Sequence, residues 1–342
     1  MNTPVIVGAV FRERYAVQRF RDGGIVVDLA TGTYLRLNVS AAEILSSLEQ
    51  ADSIGSARLQ VAQILGATEG AAERAIQDAM EGLGRLSPRR EPLGAFRYFP
   101  SQKGGYVLSS NGSPRVWISA DGTSVRLAKP DDPIIAARIV EYLRAVAPKL
   151  LFLQSVTVIH GAASRTGTGV RVIAGESGAG KTTTARSFEE AGWGLFAEDM
   201  LVVATLSPLR VYSVGENVIN AWAARSAERL TGSPHEEIEA STLRAASNGE
   251  PTAVSEIWFL DGGRREQSGN EICPRRLGET DGALAMMASL FLGAASPTAW
   301  RLFLALAGEV ASAVPLFEAL MPAGLDRLRA AAQRYTENSA SK

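Results

Sequence analysis

Cysteine and histidine are nearly missing from this sequence: Cys273 is the one thiol, and His160 and His235 are the only imidazoles in 342 residues. A single cysteine excludes a disulfide framework and a thiolate metal cluster, and fits a reducing, cytoplasmic compartment. Two histidines exclude a multi-histidine metal site. An excess of either charge is lacking too. With 35 basic against 36 acidic residues the net charge is −1, so nothing global points to nucleic acid or an anionic membrane. The N-terminus has no charged-then-apolar signal pattern. One stretch without charge, from Gly282 to Trp300, has to be weighed as a membrane span. Its apolar residues are largely Ala, and Gly282, Ser289, Gly293 and Ser296-Pro297 interrupt it, so it reads better as a buried helix followed by a turn. What remains, 46% hydrophobic and 21% charged residues, is ordinary globular composition with room for two or three domains.

The stretch from Arg171 to Phe188 carries the strongest chemistry. Val170, Val172, Ile173 and Ala174 read as a buried strand. Gly175, Glu176, Ser177, Gly178, Ala179, Gly180, Lys181 and Thr182 then match G-x-x-x-x-G-K-[ST], the phosphate loop. The glycines let successive N–H groups converge on one phosphate. Lys181 brings a compact charge to the β/γ-phosphates, Thr182 a hydroxyl for Mg²⁺, and the helix starting near Lys181 a positive end. Four such positions match by accident in roughly one chain in a hundred of this length, and the strand-then-helix context narrows that further.

Before this, residues 1–90 read as a unit of their own. Ile25 to Leu29 and Thr33 to Leu37 predict a hairpin around Ala30-Thr31-Gly32. Three helices follow: one capped by Asn38 or Ser40, one over Ser56 to Leu65, and one over Ala71 to Leu86. Ser87 to Gly94 is a linker by composition. Short strands are expected at Tyr106–Ser109, Arg115–Ile118 and Ser124–Leu127, and a helix from Pro133 to Leu153. Val156 to Ile159 predicts a strand ending at His160-Gly161, with a Gly/Thr turn from Ser164 to Gly169. Further strands are read at Gly192 to Ala197, ending in Glu198-Asp199, and at Leu201 to Val203.

Two resemblances give these readings a direction. GIVVDLATGTYLRLNVSAAEILSSL resembles the PqqD-like leader-recognition domain of peptide-modifying systems. In that family a precursor peptide's leader adds as a strand beside the hairpin. The resemblance implies docking near Thr33 to Leu37, with Tyr34, Leu35 and Arg36 facing the helix from Ala71 to Leu83. A plain winged-helix accessory or DNA-binding domain is the alternative, although Glu73, Asp78 and Glu81 make that helix a poor face for phosphates. Val158 to Val203 resembles the HPr kinase/phosphorylase family and its phosphoenolpyruvate-carboxykinase-like relatives, through "H-G", "G-x-S-G-x-G-K-[ST]-x-x-A" and "A-[DE]-D" in order.

That second resemblance implies that Asp199 takes the acceptor's proton, that His160 sits by the transferred phosphate, and that Glu198 helps Thr182 hold Mg²⁺. Glu198-Asp199 as a solvated acidic turn and His160 as a structural residue are the alternatives. Arg275 and Arg276 read equally as a phosphate clamp and as a surface pair. Thr183 stands where the family carries an acid, which speaks against the reverse, phosphate-removing activity. The resemblance leaves a homo-oligomer open.

The expectation is therefore an α/β protein with a PqqD-like winged-helix domain over 1–90 and a P-loop, HPr-kinase-like domain over 95–335. Together the halves resemble kinases made with ribosomal peptides of the lasso type. The implied activity is ATP- and Mg²⁺-dependent phosphorylation of a Ser or Thr of a precursor peptide. A kinase of the same fold acting on a protein or small molecule, and a non-catalytic nucleotide-gated module, are the alternatives.

Overall fold

The computed structural model describes residues 5–84, 96–101, 104–176, 178–214, 216–240, 243, 250–260, 269–289 and 297–340. The linker expected over Ser87 to Gly94 and the turn residue Ser296 lie outside them, as does Ser177 of the loop. The fold is mixed α/β and divides into two compact units. Among the described residues no helix is long and apolar enough to cross a membrane.

The first unit starts with α1 (Gly8–Arg14) and an antiparallel sheet, β1 (Tyr15–Phe20), β2 (Gly23–Asp28) and β3 (Tyr34–Leu37), in the order β1-β2-β3. The Asp28 carboxylate accepts from the N–H groups of Ala30 (2.9 Å) and Thr31 (3.3 Å), closing the turn between β2 and β3. Gly32 is required there: its φ is +70°, and a Cβ would come within 2.2 Å of the Trp300 ring. Helices α2 (Val39–Gln50), α3 (Ile54–Leu65) and α4 (Glu69–Gly84) follow. Asn38 caps α2 by accepting from Ala41 N–H, and Ser53 forms a capping box with Ser56 at α3. Their apolar stripes, Leu45, Leu48, Val61, Ile76 and Met80 among them, close over Phe11 and Val26 as one core. Neither α1 nor β1 was part of the sequence reading.

This unit also gathers Leu277–Met287 and Ala295–Ser312 from far down the chain, whereas the sequence reading had divided the protein at about residue 90. Helices α8 (Glu279–Ser289) and α9 (Pro297–Ala313) supply most of those stretches. Asp22, at the turn between β1 and β2, accepts from both the N–H (3.0 Å) and the hydroxyl (2.6 Å) of the fully buried Thr280. Arg301 of α9 donates to the main-chain oxygens of Arg12 and Tyr15.

The second unit holds two sheets. In one, β4 (Phe96–Pro100), β5 (Tyr106–Ser110), β6 (Ser113–Ile118), β7 (Ser124–Leu127) and β13 (Ile238–Glu239) run in the order β13-β7-β6-β5-β4. Asn111 and Gly112 turn β5 into β6 with φ of +50° and +74°. Leu108, Val116 and Ile118 pack on α5 (Pro133–Leu153) and on Trp222 and Leu230 of α7 (Glu216–Gly232).

The larger sheet is mixed. It contains β8 (Val158–Thr166), β9 (Gly169–Gly175), β10 (Leu195–Ala197), β11 (Met200–Leu206), β12 (Leu209–Ser213), β14 (Thr252–Leu260), β15 (Cys273–Arg276) and β16 (Leu316–Leu320). β9 runs antiparallel to β8 and parallel to β14. Helices α6 (Lys181–Glu190) and α10 (Leu325–Ala340) share a core with Ala162, Ile173 and Trp258. Inside it the Arg171 guanidinium lies 3.9 Å from the Trp258 ring centre and donates to Glu256 at 2.6 Å.

Two expectations need correction. β8 does not end at His160-Gly161 but runs on to Thr166, so the stretch read as a long turn from Ser164 is mostly strand; its partner β9 satisfies those backbone groups as far as Thr166↔Gly169. The sequence reads Tyr335 to Lys342 as a frayed tail; of these, Tyr335 to Ala340 continue α10, and the Tyr335 ring packs edge-on against Trp258 at 5.3 Å.

Candidate functional site

The phosphate loop follows β9 directly. Gly175 has a φ of +141°, and a Cβ there would stand 2.9 Å from the Leu260 carbonyl oxygen on the neighbouring β14. Only glycine allows the chain to turn so close to that strand. Gly180, the N-cap of α6, has a φ of +87° and offers no side chain to cap the first turn, which also carries no acidic residue. The first N–H groups of α6 thus have no side-chain cap, an arrangement that favours an anion. Lys181 folds back over the loop: its ammonium donates to Gly175 O (3.1 Å) and Glu176 O (3.0 Å), and the side chain is buried. Burial pulls its pKa down, while the Asp199 charge pushes it up.

β8 and β11 bring the second half of the site alongside. Their antiparallel register sets His160 opposite Met200, and Gly161 N–H donates to Asp199 O at 3.0 Å. His160 Nε2 consequently lies 3.2 Å from Asp199 Oδ1. The hydrogen bond from His160 is the main influence holding the Asp199 carboxyl below its usual range, and it outweighs burial. The charges of His160, Lys181 and Arg144 act in the same direction. His160, Lys181 and Asp199 are therefore one electrostatic group, and Asp199 faces it as a carboxylate with about half its side chain open to solvent (53%).

Glu198 is held separately. Thr182 Oγ1 donates to its main-chain oxygen at 3.1 Å, while its carboxylate is ion-paired with Arg186 of α6. Among the described residues no three acidic, histidine or cysteine side chains gather as a metal cluster. Mg²⁺ usually takes one or two protein oxygens and fills its shell with phosphates and water, and the Thr182 hydroxyl and Glu198 carboxylate are oxygens of that kind.

Of the remaining expected residues, Glu176, Gly178, Ala179 and Thr183 lie on the loop and the first turn of α6, with Ala179 N–H donating to Glu176 O. Arg275 donates through two nitrogens to one Glu318 oxygen across β15 and β16, at 3.1 and 2.7 Å. His235 is exposed in a loop. Arg144 and Arg186 were missed by the sequence reading. Arg186 had a local signal, since it stands four residues after Thr182 on the loop helix. Arg144 had none, because its helix precedes the motif and only the fold brings its charge to Asp199.

In the first unit, β3 is one of the two outer strands of its sheet, with Leu35 and Arg36 exposed and Arg36 ion-paired with Asp281 of α8 at 2.7 Å. The expected partner helix corresponds to α4, which packs with α2 and α3. A comparison with models of known protein families gives no match, and a comparison with curated proteins gives none either.

Proposed function

We propose that this protein is an ATP·Mg²⁺-dependent kinase with a P-loop, HPr-kinase-like core, which phosphorylates a Ser or Thr hydroxyl of a peptide held by a winged-helix, PqqD-like N-terminal unit. One observation carries the reading: the loop ammonium of Lys181 and the His160–Asp199 pair act on one another across the same site. Phosphoryl transfer asks a protein mainly to position the γ-phosphate, offset its charge and accept the acceptor's proton. The loop amides and Lys181 suit the first two tasks. Asp199, kept ionised by its neighbours, suits the third, with His160 fixing its orientation. Mg²⁺ bound with ATP at Thr182 and Glu198 would offset charge on the β- and γ-phosphates.

The exposed outer strand β3 supports an extended peptide as the substrate, because open strand edges bind such segments by backbone pairing. The test is a search of the neighbouring genes for a short leader-bearing peptide, then incubation of that peptide with γ-labelled ATP and mass spectrometry. Label on a Ser or Thr of that peptide is expected. ATP bound with no phosphate on the peptide would overturn the peptide-kinase reading and leave a kinase of a protein or small molecule, or the nucleotide-gated module.

A further inference from the structure

Thr182 and Arg186 stand four residues apart on α6 and so share one face of the helix. Between them they hold both ends of a single residue: the Thr182 hydroxyl bonds the Glu198 main-chain oxygen at 3.1 Å, and the Arg186 guanidinium pairs with the Glu198 carboxylate. Arg186 also has a second acid within reach on its own helix, with its Nη1 at 3.5 Å from Glu189 Oε2. The guanidinium is thus poised between two carboxylates, and only Glu198 belongs to the metal-holding pair. More than half of its side chain is exposed (55%), so moving off Glu198 costs it little desolvation.

The adjacent acids of the site each have their own cation. Asp199 is offset by His160, Lys181 and Arg144, and Glu198 by Arg186. A divalent ion arriving at Glu198 brings twice the charge to the same oxygens and repels the guanidinium beside it.

We propose that Arg186 is a stand-in cation, occupying Glu198 in the nucleotide-free protein and giving it up to the metal by swinging to Glu189. This rests on the ATP·Mg²⁺ reading above. It gives the chain a reason to keep an arginine next to a metal ligand: Glu198 stays oriented and its charge stays compensated between turnovers. Metal without nucleotide must compete with that arginine, whereas the nucleotide complex adds the phosphate contacts of the loop.

The experiment is Mn²⁺ binding to the full-length protein, followed by electron paramagnetic resonance with a non-hydrolysable ATP analogue present. Arg186→Gln should tighten Mn²⁺ binding by roughly 1.5- to fivefold, the scale of losing a partly exposed ion pair as competitor. The same variant should melt at a lower temperature without metal and gain more than the natural protein when Mn²⁺ and the analogue are added. Glu189→Gln, which removes the resting place, should weaken Mn²⁺ binding, and Arg186→Lys should fall between the natural protein and Arg186→Gln. Unchanged or weaker Mn²⁺ binding in Arg186→Gln, with the analogue still bound, overturns the stand-in role and leaves the kinase reading intact. No binding of the Mn²⁺–analogue complex by the natural protein overturns the kinase reading, and the stand-in role with it.

Discussion

His160 Nε2 lies 3.2 Å from Asp199 Oδ1, because the pairing of β8 with β11 carries the two residues to the same level of the sheet. That hydrogen bond favours the charged form of Asp199. Replacing Asp199 with Asn keeps the shape and removes the proton acceptor. Turnover should fall by roughly two to four decades, the usual scale for a general base, while nucleotide affinity stays within a few-fold. Phosphate transfer at the natural rate would remove Asp199 from the chemistry.

The same pair has a pH signature. A carboxyl whose folded pKa is depressed adds stability above the unfolded value of about 3.9 and loses it as pH falls through the folded value. The melting temperature of the natural protein should therefore exceed that of Asp199→Asn at pH 5, and the gap should close below about pH 4. A gap that persists unchanged into stronger acid would mean that the carboxylate charge is not what stabilises.

Arg144 lies on α5, and its charge is the least of those holding Asp199 down. Arg144→Gln should shift the Asp199 titration upward, as followed by carboxyl carbon NMR in the nucleotide-free protein. His160 should keep its hydrogen bond. An Asp199 curve identical in the two proteins would show that the charge is screened before it arrives.

Gly175→Ala tests the cradle itself. The new methyl group would sit 2.9 Å from Leu260 O at a φ of +141°, so the loop has to shift or β14 has to give. A loss of about 1–3 kcal/mol in stability is expected from the backbone alone, together with a marked drop in nucleotide binding. Chemical denaturation and analogue binding would each report it. Gly178→Ala is the control, since a Cβ there meets nothing within 4 Å, although its φ of +80° still carries backbone strain.

Lys149 offers a prediction away from the site. It is 2% exposed, its ammonium is 4.1 Å from the Tyr106 ring centre, and burial pushes its pKa down to about 8. Between that value and the unfolded lysine value of about 10.4 the unfolded chain binds more protons, so stability rises with pH across the interval. The ring faces attract the ammonium and soften the rise. The melting temperature of Lys149→Met, relative to the natural protein, should fall as pH goes from 7 to 10. A constant difference would mean that Lys149 titrates normally.

Local signals were legible in the sequence, and long-range ones were not. The helix from Pro133 to Leu153 appears as read, because its start is marked by Asp132 and Pro133 and its apolar spacing is regular. The β5–β6 turn at Asn111-Gly112 and the loop from Gly175 to Thr182 are set by residues next to one another. β8 was read too short because Gly161, Ala162 and Ala163 carry little β signal, and only β9, β10 and β11 make them strand. Pairing to β14 and β15 likewise fixes β16 (Leu316–Leu320), inside a stretch, roughly Asp281 to Ala332, that the sequence alone reads as core helices. Within the site, His160, Lys181 and Asp199 were found by motif, while Arg144 and the Arg186–Glu198 pair depend on how separate segments meet.

The stitching of Leu277–Met287 and Ala295–Ser312 into the first unit has a practical meaning for anyone cutting this gene. Scissors applied near residue 90 would carry off Asp22, Gly32 and Arg12 but strand Thr280, Trp300 and Arg301, their partners, on the other fragment. The first piece would keep its own apolar core, from Phe11 to Leu83, but lose those contacts. A half-protein that loses its activity would thus report these broken contacts together with any lost peptide capture, and point changes on the outer strand are the cleaner instrument.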